Sequence, residues 1–122
     1  MTGRRGIVIA DLERDTVLDW EAACESADGF VRNPDTVRAL VDTARAHPST
    51  AERIFEALAR AEPLFRGRRM RHLLAAMEGF AAFPGLAPRA YDLVAPYEAS
   101  RIRAVARQAR RTLEVLRGAV SS

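Results

Sequence analysis

The sequence predicts an all-α fold, a compact bundle of five to six helices, and three observations carry that reading. The stretch Arg71 to Phe83 holds one charge past His72, at Glu78, so it is a helix with almost nothing to present to water. Apolar residues elsewhere recur at helical spacing between turn signals built on proline, glycine and asparagine. The only β-branched run, Ile7-Val8-Ile9, has no second strand candidate to pair with, and a lone strand is unstable.

Taken in order, the first helix is expected over roughly Ile7 to Ala27, with Ile9, Leu12, Thr16, Trp20, Ala23, Cys24 and Ala27 on its apolar face. Asp11, Asp15 and Asp19 stack at i, i+4 on another side, a like-charge ladder that calls for basic neighbours. Asp28-Gly29 reads as its end. Asn33-Pro34-Asp35 opens the second helix with a capping side chain, a proline in the first turn and an acid at the positive dipole end. Val37, Leu40, Val41 and Ala44 form its core face, and His47-Pro48 closes it. Ser49-Thr50-Ala51-Glu52 has the pattern of a capping box for a third helix that runs to about Ala61 and buries Ile54, Phe55 and Leu58.

Glu62-Pro63 breaks that helix, and the chain passes through Arg66-Gly67-Arg68-Arg69 into a buried central helix over about residues 67–83. Met70, Leu73, Leu74, Met77, Phe80 and Ala81 share one face of it. Ala75, Gly79 and Ala82 line the other, where small side chains let a neighbouring helix come close, so both faces are expected to be buried. Phe83-Pro84-Gly85 stops it and Pro88 starts a short fifth helix with Tyr91, Leu93 and Val94. After Pro96 the last helix, about Tyr97 to Arg117, turns Ile102, Val105, Ala106, Ala109, Leu113 and Leu116 inward and stops at Gly118. Gly29-Phe30 and Gly79-Phe80 are each followed by three residues and then proline, an echo that either a duplicated three-helix unit or chance would produce.

The chain of 122 residues is expected to form a single helical domain over 1–122, with 1–5 and 119–122 as flexible ends. Its 48% hydrophobic and 29% charged residues are those of an ordinary globule that can bury a core without disulfides. Cys24 is the only cysteine, which points to a reducing compartment. No stretch has the roughly 18 apolar residues of a membrane span, and the amino terminus does not read as a signal peptide. A cytoplasmic protein without a membrane span is therefore expected.

All 19 basic residues are arginine, as codon bias in a GC-rich bacterial genome would produce, so arginine content alone says little about function. Their distribution says more. Residues 1–61 hold 8 arginines against 11 acids, and residues 62–122 hold 11 against 5, behind a net charge of +3. Two clusters stand out as candidate binding residues: Arg66, Arg68, Arg69 and Arg71 at the start of the central helix, and Arg103, Arg107, Arg110 and Arg111 along the last one. Cations at a helix start oppose its dipole, which hints at an anion nearby, and a row of guanidinium groups one turn apart suits an acidic protein, an acidic lipid surface or a phosphate backbone. Internal pairing with Asp11, Asp15 and Asp19 is the competing account of the last-helix row.

Ala46-His47-Pro48-Ser49 has the spacing of a helix-turn-helix. Its would-be recognition helix opens on Glu52 and Glu56 beside only Arg53, and its turn lacks glycine, so it reads as a plain hairpin. His47 and His72 fall in no zinc or di-iron pattern, and no phosphate loop, nucleophile elbow or Cys-His pair occurs. No catalytic residue, cofactor or metal is expected. The function expected is a non-catalytic interaction, adaptor or regulatory module that docks an acidic protein partner, or itself as a homodimer, through the arginine-rich surface. Non-specific nucleic-acid (DNA) binding through the same arginines is the alternative.

Overall fold

A computed structural model describes residues 20–25 and 27–121, and all secondary structure among them is helical. Residues 20–24 are helical, followed by α1 (Ala27–Arg32), α2 (Pro34–Ala46), α3 (Ala51–Arg60), α4 (Met70–Met77), α5 (Ala87–Val94) and α6 (Arg103–Ser121). Short 3₁₀ turns join them at Pro48–Thr50, Glu62–Leu64, Gly67–Arg69, Glu78–Ala82 and Ala95–Ala99. The all-α bundle read from the sequence is therefore the fold. The aspartate ladder Asp11, Asp15 and Asp19 lies outside the described residues.

α4 is the hub, packing on α2, α5 and α6, while α6 crosses α4, α5 and the two 3₁₀ turns that follow them. Its core side is sealed: Leu73, Leu74, Met77 and Phe80 have no exposed surface. Phe80 meets Phe55 of α3 edge-on at 5.2 Å, which joins the α3 and α4 cores through one ring pair. α6 runs in the same sense as α4, with Ile102 and Val105 beside Gly67 and Met70, and Gln108 and Thr112 bonded to Glu78. The one charge between His72 and Phe83, Glu78, is thus answered by donors. Gln108 Nε2 donates to Glu78 Oε2 at 3.1 Å, and the fully buried Thr112 hydroxyl donates to the same oxygen at 2.9 Å.

The expected helix boundaries hold where local chemistry dictates them. Asn33 caps α2 by accepting from the Asp35 backbone N–H at 3.0 Å, with Pro34 in the first turn. Four expectations need correction. The Ser49-Glu52 capping box does not form: the Pro48–Thr50 turn continues directly into α3, and the Thr50 hydroxyl donates back to the His47 carbonyl at 2.8 Å. Gly29 does not end a helix but sits inside α1, held helical because its neighbours Phe30 and Val31 are buried in the core. α6 starts later than expected, at Arg103, after the Ser100 hydroxyl accepts from the Ile102 N–H, and it runs through Gly118 rather than stopping there.

The fourth correction bears on function. The central helix is buried on its large-residue face only. Gly79 does admit a close neighbour, since a Cβ built there would lie 2.2 Å from Val41 Cγ1 of α2. Ala75 and Ala82, however, are exposed. The helices on either side of α4 stand apart around this small-residue face instead of closing over it.

Candidate partner-docking surface

The two arginine clusters are separated by more than thirty positions in sequence, yet the parallel arrangement of α4 and α6 puts their starts at the same end of the bundle. The Gly67–Arg69 turn packs against α6, and Gly67 opens it with a positive φ of 58°, a conformation that favours glycine. Arg66, Arg68, Arg69 and Arg71 flank this turn and Arg103 opens α6, while Arg107, Arg110 and Arg111 continue along its outer surface. All eight are exposed, and none is within ion-pairing distance of a carboxylate among the described residues.

The arginines that do find partners are others. Arg38 pairs with Asp35 on α2. Arg53 binds Glu21 at 2.8 Å and stacks over Trp20, with its guanidinium carbon 4.9 Å from the ring, and so fastens residues 20–25 to α3. Arg89 lies over Phe55 at 4.9 Å with Glu56 at 3.6 Å, tying α5 to α3. Arg117 donates to the Tyr91 hydroxyl at 3.3 Å. Among the described residues, arginine thus divides into members that staple helices together and members that face outward without a carboxylate partner.

Beside the outward set lies a groove of about 550 Å³, bounded by α2 on one side and Val115 of α6 on the other. Its floor is the small-residue face of the central helix: Ala75, Ala76, Gly79 and Ala82. Val37 and Val41 form the α2 wall, and Val115, 42% exposed, is one of the two large apolar side chains most open to water among the described residues. Arg38, Asp42, Arg45, His72 and Glu78 complete the lining. Glu78 is already bound by Gln108 and Thr112, so its charge is answered from below.

His72 marks one end of this groove. Burial is the main cause that holds its pKa below 6.5, and the charges of Arg71, Arg38 and Arg69 lower it further. Of the charges that line the groove, Arg38 and Arg45 are matched in number by Asp42 and Glu78. The small-residue spacing was legible in the sequence, but its outcome was not. Periodicity shows that a face is apolar and narrow, not whether a neighbouring helix covers it.

Other candidate chemistry is muted. Cys24 is half-buried against the core, and burial pushes its thiol up to about 11, which makes it a small hydrophobe and a poor nucleophile. Tyr97 donates to Glu62, and burial together with that bond pushes the phenol up to about 12. Among the described residues no three His, Cys, Asp or Glu side chains converge as metal ligands, and no helix is long and apolar enough to cross a membrane. No family model, curated protein or solved structure matches this chain.

Proposed function

We infer that the protein is a non-catalytic adaptor or regulatory module that docks an acidic protein partner through its arginine-bearing surface. The observation that supports this most is the unengaged set itself. Eight exposed arginines, Arg66, Arg68, Arg69, Arg71, Arg103, Arg107, Arg110 and Arg111, have no carboxylate partner among the described residues, while others of the chain are used in staples and stacks. A protein partner suits this surface better than a phosphate backbone for two reasons. Glu114 and Asp42 interrupt the positive field where a polyanion would lie, and apolar surface at Val115 and the groove floor adjoins the arginines. A homodimer that uses the same surface is the self-associating form of this reading.

Fluorescence polarisation with a labelled acidic polypeptide and, separately, a labelled DNA duplex tests it, each at about 50 mM and about 200 mM salt. The reading expects the acidic polypeptide to bind and the duplex to bind weakly or not at all. Tight duplex binding that collapses at the higher salt would replace it with the nucleic-acid reading. Solution mass by sedimentation separates a partner-binding monomer from a dimer.

A further inference from the structure

We propose that two copies of this chain pair through α2, antiparallel about a two-fold axis at the level of Leu40, so that Asp35 meets the partner's Arg45 and Arg38 meets the partner's Asp42. This face is separate from the eight outward arginines, and the inference does not rest on the acidic-partner reading.

The charge pattern of α2 comes first. Its charged residues are Asp35, Arg38, Asp42 and Arg45, and all four are exposed. Their spacing of three, four and three residues keeps them on one stripe, the spacing of a seam between two helices. Along that stripe the signs run minus, plus, minus, plus. Asp35 and Arg45 stand five residues either side of Leu40, and Arg38 and Asp42 stand two either side, so reversing the helix about Leu40 sets every charge opposite one of the other sign. A two-fold interface requires this property, because each surface must complement itself. A parallel pairing in register would set like charges together instead, so the pattern also selects the direction.

Within one copy the stripe is poorly satisfied. Arg38 bonds Asp35 one turn back, with both side chains largely in water, and Asp42 and Arg45 make no ion pair among the described residues. An exposed i, i+3 pair contributes little in water, so Arg38 can exchange Asp35 for the partner's Asp42, and Asp35 then takes the partner's Arg45. Four ion pairs form across the axis where one stood in each copy.

Apolar surface adjoins the stripe. Arg38, Asp42 and Arg45 are also part of the groove lining, with Ala75 and Ala82 exposed on its floor and Val115 exposed on its far side. A second α2 laid along the stripe stands at the mouth of that groove and takes some of this surface out of water. Beside the axis lies Ala39, half-buried and small, which lets the two backbones approach. The ion pairs thus set register and direction, and the apolar cover adds to the association.

Sedimentation of the full chain at about 200 µM protein and about 50 mM salt is the test, conditions that populate a weak interface of one helix pair. Wild type is expected to run as a dimer that dissociates as salt rises. Two variants carry a stripe of one sign: Asp35→Arg with Asp42→Arg is all basic, and Arg38→Glu with Arg45→Glu is all acidic. Each alone should dimerise at least about tenfold more weakly, and an equimolar mixture of the two should restore the dimer. That restoration is specific to pairing between chains, since Asp35 and Arg45 lie about 15 Å apart along one helix and cannot meet within it. Asp35→Asn with Asp42→Asn should give the same loss without adding a cation at the helix start, and thermal melts show that each variant is folded.

A wild-type chain that stays monomeric under these conditions, a dimer that survives in either one-sign variant, or a mixture that does not associate would each overturn the proposal. If the dimer survives there and is lost in the glutamine variant of Arg103, Arg107 and Arg110, self-association runs through the arginine surface instead. None of these results touches the acidic-partner reading, because none of the four α2 residues is among the eight outward arginines.

Discussion

Gly79→Ala is the sharpest probe of how α2 and the central helix meet. Its new Cβ would lie 2.2 Å from Val41 Cγ1, well short of the roughly 3.5–4.0 Å at which carbon atoms rest in contact. Val41 cannot simply turn away, because a β-branched side chain in a helix has one strongly preferred rotamer and this one is only 8% exposed. Overpacking of this kind costs about 1–3 kcal/mol. Glycine-to-alanine replacement in a helical segment returns up to about 1 kcal/mol through the unfolded chain, so the net loss is about 1–2 kcal/mol. Tm should fall by roughly 3–8 °C. The clash has one identified partner, so a double-mutant cycle isolates it. Val41→Ala alone costs about 2 kcal/mol for its lost methyl groups. On that background Gly79→Ala becomes neutral or slightly stabilising, since its methyl enters the space Cγ1 vacated. Urea unfolding of the four proteins measures the coupling. Equal destabilisation by Gly79→Ala with and without Val41, or a stabilised single mutant, would refute the close approach.

Other perturbations follow from the same packing. Phe80→Ala empties the fully buried site against Phe55 and should cost about 3–5 kcal/mol in chemical denaturation. Thr112→Val keeps the shape but removes a donor from Glu78 and leaves Gln108 Nε2 without the Thr112 oxygen it reaches at 2.9 Å, a loss of about 1–2 kcal/mol by the same assay. The Tyr97 phenol is raised to about 12, so the stabilisation it contributes is complete below its unfolded pKa of about 10 and is lost as pH climbs through 12. Tyr97→Phe should accordingly flatten the dependence of Tm on pH in that window and remove the highest-titrating phenolate from the ultraviolet absorbance curve. For His72, whose depressed pKa makes the folded chain lose stability as pH falls below 6.5, Arg71→Gln should move the imidazole titration seen by NMR upward. Changing Arg103, Arg107 and Arg110 together to glutamine should shift Tm by no more than a degree or two, because none of them pairs with a carboxylate among the described residues.

The elements legible from sequence were those governed by local chemistry or by strong burial. Asn33-Pro34 fixed the start of α2, and the Leu73-to-Phe80 pattern identified the hub, because a capping side chain and a charge-free helix each admit few alternatives. Ser49-Glu52 failed because Pro48 already starts a 3₁₀ turn that runs into α3, with the Thr50 and Ala51 N–H groups bonded to the His47 and Pro48 carbonyls, so Ser49 does not stand at a helix start. Gly29 was misread as a terminus since the burial of Phe30 and Val31 outweighs the helix cost of about 1 kcal/mol for one glycine. The outward arginines could be located on helix faces from spacing alone. That Arg38 of α2 shares a groove with His72 of α4 depends on how the two helices cross, which no single-helix pattern contains.

The central proposal is that this molecule docks an acidic partner through exposed arginines that have no carboxylate partner among the described residues. Amide chemical-shift mapping tests it most directly, by titrating an acidic polypeptide into uniformly ¹⁵N-labelled protein. The account predicts the largest shifts at the Arg66 to Arg71 turn and along Arg103 to Arg111. Shifts confined to residues away from both clusters, or an unchanged spectrum at saturating polypeptide, would contradict it.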